Sequence, residues 1–128
     1  MEAGNSAVDR YKPRGFTRVL RAVASSVRGL SGAFRDEAAF RQELVFAAVV
    51  IPLGSWLGHT GLERALLIAP VILILVVELL NSAIEATVDR IGFERHALAG
   101  LAKDIGSAAV FMSFVLLAVV WLLVLLGR

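Results

Sequence analysis

The chain lacks cysteine altogether, and charged residues make up only 19% of its 128 positions. The missing cysteine excludes disulfide bonds, zinc–thiolate sites and thiol catalysis. The net charge is only +2, which argues against a nucleic-acid partner. Hydrophobic residues, in contrast, reach 58%, which is more than an ordinary soluble domain contains. The composition therefore predicts one small membrane domain covering residues 1–128.

Familiar active-site motifs are also missing. There is no Gly-x-x-x-x-Gly-Lys-Ser/Thr loop, no protein-kinase catalytic loop, no His-Glu-x-x-His and no Gly-x-Ser-x-Gly. A secretory signal peptide is not visible either, because about 40 polar or mixed residues precede the first long apolar run. We therefore expect membrane insertion to depend on internal helices.

Three long apolar segments dominate the rest of the chain. Residues 44–62 and 105–127 contain no acidic residue, lysine or arginine, and residues 65–88 contain only Glu78 and Glu85. Each segment is long enough to cross a hydrocarbon layer of about 30 Å as a helix. The sequence therefore predicts an all-α membrane protein with three transmembrane helices.

An amphipathic helix is predicted over residues 14–35, after a polar segment, 1–13, that we expect to be frayed. Its arginines lie opposite one apolar arc of about 100°, which is formed by Phe16, Val19, Leu20, Val23, Val27, Leu30 and Phe34. This pattern is typical of a helix in the membrane interface. The alternative is packing on a soluble core, which no other segment supplies. Gly29 and Gly32 weaken the helix and allow it to split into two pieces.

The placement of lysine and arginine predicts the orientation. Eight of the thirteen precede residue 42, three lie in the connection 89–104, and only Arg64 and Arg128 fall on the other side. Cytoplasmic loops carry an excess of these residues. The N-terminus and the 89–104 connection are therefore predicted to be cytoplasmic.

A polar stripe marks the end of the second apolar segment. At 100° per residue its members share one arc of about 100°, and they are Glu78, Asn81, Ser82, Glu85 and Asp89. A carboxylate inside an apolar segment is costly and indicates function by default. Glu78 lies roughly 10 Å deeper than Glu85, at 1.5 Å rise per residue.

This arrangement favours phosphoryl transfer. The carboxylates of Glu37, Glu85 and Asp89 are hard oxygen ligands of the kind that hold Mg²⁺ on substrate phosphates. Arg18 and Lys103 add positive charge beside them, and phosphoryl transfer depends mainly on positioning and charge neutralisation. A deep carboxylate such as that of Glu78 suits a general base acting on a hydroxyl group that lies in the bilayer.

Structural interpretations remain open for the same residues. Glu78 could be a protonated donor that only joins helices, and Asn81 and Ser82 are common polar links between membrane helices. Asp36 and Glu37 could be favourable charges at a helix start. The charges of 89–104, including Asp89, also fit a solvated connection.

Two other classes of function would use the same residues differently. A small proton-coupled transporter would use Glu78 as its carrier site, but nothing comparable marks the far side of the membrane. A purely structural subunit would leave the carboxylate stripe without a purpose.

The segment Val77–Gly92 resembles the core motif of the prokaryotic diacylglycerol kinases. His96–Leu98 and Ala102–Val110 are similar to that family's second motif, and Gly15–Arg18 and Glu37–Glu43 resemble its N-terminal elements. The resemblance covers about residues 15–126.

The resemblance implies a small integral-membrane kinase, a homotrimer with a surface helix and three transmembrane helices per subunit. It would phosphorylate diacylglycerol to phosphatidic acid with ATP and Mg²⁺, at the cytoplasmic face of the bacterial inner membrane. The nearest alternative is the related branch that phosphorylates undecaprenol. Independently, three helices can hardly shield Glu78 and also form a lipid-facing site, so neighbouring subunits are expected to complete it.

The resemblance also implies residue roles. Glu78 would be the general base, supported by Asn81, and Glu37 and Glu85 would hold the metal. ATP contacts would come from Arg18, Ser25, Glu37, Glu85, Glu94, Arg95, His96, Lys103 and Asp104. Lipid-substrate contacts would come from Arg18, Arg41, Glu43, Glu78 and Ser107.

Overall fold

A computed structural model describes residues 15–128 and contains, within them, four α-helices. They are α1 (Phe16–Asp36), α2 (Ala38–Leu57), α3 (Gly61–Ile91) and α4 (Ala97–Leu126). The last three are long and apolar enough to cross a membrane, which confirms the all-helical prediction with three potential spans. The predicted frayed segment 1–13 lies outside the described residues.

Several helix ends differ from the ends of the apolar segments. α2 stops at Leu57 rather than 62, while α4 begins at Ala97, eight residues before the apolar run at 105. Capping marks the starts of the next helices: Thr60 Oγ1 accepts from Glu63 N at the start of α3, and His96 Nδ1 accepts from Leu98 N at the start of α4. Hydropathy marks only the apolar part of a helix and not where its backbone hydrogen bonds end.

The long helix α3 lies between its neighbours and packs against both α2 and α4. Its buried residues follow one face at spacings of three and four, as a helix requires, and they are Leu67, Pro70, Val71, Ile74, Glu78 and Asn81. The stripe is apolar for most of its length and becomes polar at Glu78. Close packing therefore holds Glu78 and Asn81 inside the protein.

A hydrogen bond between helices joins α4 to α3 near Pro70. Trp121 Nε1 donates to the carbonyl oxygen of Leu67 over 3.0 Å. Pro70 has no N–H to donate to the Leu66 carbonyl and loosens this turn of α3. The indole donates to the neighbouring Leu67 carbonyl in the same turn and ties α4 to α3 there.

At the end of the bundle where α2 leads into α3, the turn between these helices contacts Arg128. Glu63 Oε2 accepts from the backbone N–H of His59 over 2.7 Å, in the manner of a capping box. Arg64 Nε donates to the Gly58 carbonyl, and Arg128 donates to both Leu57 O and Glu63 Oε2. We call Leu57–Arg64 with Arg128 the turn end of the bundle.

Substituting Gly58→Ala is expected to destabilise the turn end. A Cβ at position 58 would lie 2.9 Å from the backbone nitrogen of Arg64, and overpacking of this kind costs about 1–3 kcal/mol. Gly61→Ala is the matched control, because its Cβ would meet nothing within 4 Å. Thermal unfolding in detergent should show a lower Tm for the first variant only; equal Tm values would refute the close contact.

Helix α1 is continuous, so Gly29 and Gly32 do not split it. None of its residues is buried, and its large apolar side chains are all exposed. It contacts mainly α2, beside the one-residue connection at Glu37. An apolar face this large without a protein partner in the described chain needs another apolar surface.

Candidate active site

Glu78 is the one acidic residue that is buried among residues 15–128, with only 5% of its surface exposed. Glu43 of α2 lies close to it, so that the two carboxyls act on each other electrostatically. Like charges in an apolar surrounding are unfavourable unless a proton or another ligand lies between them. Two carboxyl groups therefore lie together where α2 packs against α3.

Three buried side-chain oxygens in this region have no hydrogen-bond partner within the described chain: Glu43 Oε2, Asn81 Oδ1 and Ser82 Oγ. An unsatisfied buried polar atom costs about 1–3 kcal/mol. Such atoms are rare in folded proteins and call for an explanation such as catalysis or an absent ligand. Their clustering around Glu78 indicates a place prepared for a polar group from outside the chain.

Asn81 is held between α3 and α4. Its Nδ2 donates to Glu85 Oε1 over 3.4 Å, one turn further along the same face of α3. Its Oδ1 lies against Gly106, where a Cβ would collide with it. Gly106 is itself buried, so the close approach of α4 leaves Asn81 little freedom.

A cleft of about 650 Å³ lies between α1 and the polar part of α3. Its size is in the range of small-molecule sites, and its polar lining includes Glu37, Asp36 and Arg28 from α1 and the α1–α2 connection, with Ser82 from α3. Glu37 occupies the N-cap position of α2, but its side chain makes no capping hydrogen bond.

Local hydrogen bonds engage three polar side chains of α1 and α2 near the predicted site. Arg41, predicted to contact lipid, donates from Nη1 to the carbonyls of Phe34 and Arg35 and so closes the C-terminus of α1. Asp36 is paired with Arg35 at 3.0 Å, and the hydrogen bond from that guanidinium holds the pKa of Asp36 below its usual range. Ser25 accepts a hydrogen bond from Arg28 on the exposed side of α1.

The α3–α4 connection forms a second cleft of about 470 Å³. The predicted ATP contacts Glu94, Arg95 and His96 line it together with Lys103 of α4. His96 is also the N-cap of α4, because its Nδ1 accepts from Leu98 N. Lys103 Nζ pairs with Asp89 at 2.7 Å across the helices.

The structure brings half of the predicted site residues together in two clusters and leaves the others outside them. Glu43, Glu78 and Asn81 lie at the α2–α3–α4 contact, whereas the connection residues and Lys103 surround the second cleft. Arg18, Asp104 and Ser107 are exposed on α1 and α4.

The carboxylates do not form a metal cage on their own. Within residues 15–128 no group of three or more His, Cys, Asp or Glu side chains converges as a metal site. A Mg²⁺ ion commonly uses only one or two carboxylates and completes its shell with water and substrate phosphates. Glu37 and Glu85, both partly buried, are suitable donors of that kind.

Ser82 is a candidate site residue that the sequence analysis treated only as a polar link between helices. Its Oγ is buried and unpaired, and the residue lines the same cleft as Glu37. The sequence indicated Ser82 only by its position in the polar stripe. That position does not show whether the hydroxyl joins two helices or stays unpaired.

Comparisons with known proteins identify the family of the chain. The family model of prokaryotic diacylglycerol kinase matches residues 24–125. A protein of Pseudomonas aeruginosa named diacylglycerol kinase is 51% identical over 113 residues, 88% of this chain and 92% of the relative. Proteins of the same name from Haemophilus influenzae and Helicobacter pylori are 48% and 44% identical, covering 87% and 86% of this chain and 94% and 86% of their own lengths. The chain belongs to the prokaryotic diacylglycerol kinase family.

Proposed function

We propose that the chain is an ATP-dependent diacylglycerol kinase that transfers the γ-phosphoryl group of ATP to the lipid hydroxyl and forms phosphatidic acid. The single observation that carries the proposal is the buried Glu78 carboxyl, which faces Glu43 among unpaired polar oxygens. The name shared by relatives that cover nearly the whole chain supplies the substrate class. A soluble acceptor would not need a base this far inside a helical bundle.

In the proposed reaction the lipid hydroxyl gives its proton to Glu78. The lipid oxygen then forms a bond to the γ-phosphorus while the bond to the leaving oxygen of ADP breaks. Asn81 fixes the position of this face of α3 through Glu85 and the contact at Gly106. The unpaired oxygens of Glu43 and Ser82 are available to orient the single free hydroxyl of diacylglycerol.

The nucleotide is proposed to bind at the polar ends of the same helices. Mg²⁺, held by Glu37 and Glu85, would neutralise charge on the phosphates. Lys103 and Arg95 would add positive charge from the second cleft. In this proposal ATP lies at the water boundary, and the lipid hydroxyl lies deeper along the same face of α3.

We propose further that α1 lies in the membrane interface. The exposed apolar residues of α1 support this position.

We also propose that the active form is a homotrimer in the bacterial inner membrane, with the second cleft cytoplasmic. Helix α4 buries only Gly106 and Ser113 within one chain, which leaves most of its surface for lipid or neighbouring subunits. Crosslinking in native membranes tests the number of subunits.

The function is tested with purified protein, γ-labelled ATP and Mg²⁺ in mixed micelles that contain either diacylglycerol or undecaprenol. Labelled phosphatidic acid is the expected product. Label only in undecaprenol would move the chain to the related branch of lipid kinases, and no label in either lipid would refute a kinase.

Substituting Glu85→Gln is expected to weaken Mg-ATP binding without removing the general base. The amide keeps the shape of the side chain and can still contact Asn81, but it loses the charge that holds a hard cation. A titration of rate against Mg²⁺ should show half-saturation at a higher Mg²⁺ concentration, with activity recovered at saturation. An unchanged Mg²⁺ dependence would remove Glu85 from the metal site.

A further inference from the structure

The ion pair between Asp89 and Lys103 joins α3 to α4 at the edge of the second cleft. The two groups meet at 2.7 Å, and their side chains are 39% and 42% exposed. Ion pairs this exposed contribute little to folding stability. The two helices already pack against each other along the bundle, so the pair is not needed to hold them together.

What the pair does fix is the position of the lysine ammonium. Lysine carries its charge on a flexible four-carbon stem, and an unpaired ammonium would occupy many positions. Asp89 follows Glu85 by four residues, so the two carboxylates lie one helical turn apart on the same side of α3. Lys103 is thereby held beside the proposed metal carboxylate and on the wall of the cleft that Arg95 and His96 also line.

We propose that Asp89 is a positioning residue for nucleotide binding, which holds the Lys103 ammonium where the ATP phosphates meet it. The inference rests on the proposed kinase function, because the nucleotide belongs to that function. Asp89 acts on the nucleotide only through Lys103. A different role, in which Asp89 masks the ammonium charge, would have the opposite effect on affinity.

The test uses the purified full-length protein in mixed micelles and measures binding of the Mg²⁺ complex of a non-hydrolysable ATP analogue. Asp89→Asn should weaken binding about threefold to fivefold, the scale of a half-exposed charge pair. KM for ATP should rise by a similar factor, while KM for diacylglycerol stays unchanged. Asp89→Glu should restore binding, because it returns the carboxylate.

Two controls separate positioning from a structural role. Glu63→Gln breaks the ion pair between α3 and Arg128 at the turn end and should leave nucleotide binding unchanged. In a Lys103→Met background, Asp89→Asn should have no further effect, because residues that act through one contact are not additive. Weaker binding in that background as well would overturn the proposal.

Tighter or unchanged nucleotide binding by Asp89→Asn would also overturn it, as would an equal rise of both KM values. The binding measurement does not depend on lipid phosphorylation. A chain that binds the nucleotide through Asp89 and Lys103 but phosphorylates neither lipid would therefore refute the proposed function and leave this inference standing.

Discussion

Replacing Glu78 with glutamine is expected to lower kcat for diacylglycerol by about 100-fold to 10,000-fold, the range for loss of a general base. Glutamine keeps the shape and the hydrogen-bonding capacity of the side chain but cannot accept a proton at neutral pH. Affinity for the Mg²⁺–nucleotide complex should be unchanged, because the proposed nucleotide contacts lie nearer the water boundary. The measurement is initial-rate kinetics with labelled ATP in mixed micelles.

The matched control is Glu63→Gln, which makes the same chemical change on the same helix at the turn end. It should retain full turnover. Thermal unfolding of both variants checks the fold, and Glu78→Gln should unfold no more easily than the parent, because it removes a like-charged neighbour of Glu43. Substantial turnover by Glu78→Gln would leave the buried carboxyl with a structural role only.

The second large effect is expected from Gly106→Ala. The added Cβ would collide with Asn81 Oδ1, so either α4 must move away from α3 or Asn81 must leave its place beside Glu85. Misplacement of a catalytic constellation by about 1 Å can cost 100-fold in rate. We expect a loss of kcat approaching that size, with little change in KM for ATP.

Gly61→Ala at the turn end serves as the control, since a Cβ there would meet nothing within 4 Å and position 61 lines neither cleft. It should leave turnover unchanged. If Gly106→Ala retained the parental kcat, the position of Asn81 would not matter for the reaction.

The sequence was sufficient to predict the three apolar helices and the polar face of α3. Both follow from periodicity, because a helix places residues three and four apart on one side. The structure agrees for Glu78 and Asn81, which continue the buried stripe of Leu67 and Ile74. The assignment of Glu78 as a base remains a prediction, since burial alone does not establish a proton transfer.

What the sequence could not predict was how the helices face one another. The contact between Glu43 and Glu78 depends on the rotation of α2 against α3, and the pair formed by Asp89 and Lys103 depends on that of α4. Periodicity predicts which face of each helix is buried but not which helix packs against that face. Arg41 illustrates the same limit, because its hydrogen bonds to the end of α1 depend on the bend at Glu37.

The central claim is that the Glu78 carboxyl takes the proton of the lipid hydroxyl while ATP is held independently of it. The most direct measurement is single-turnover transfer of labelled phosphate to diacylglycerol by the Glu78→Gln variant, loaded beforehand with Mg-ATP. The account predicts that the variant holds the nucleotide as the parent does and forms no labelled phosphatidic acid in the time the parent needs for one turnover. Labelled lipid formed at the parental rate would contradict it.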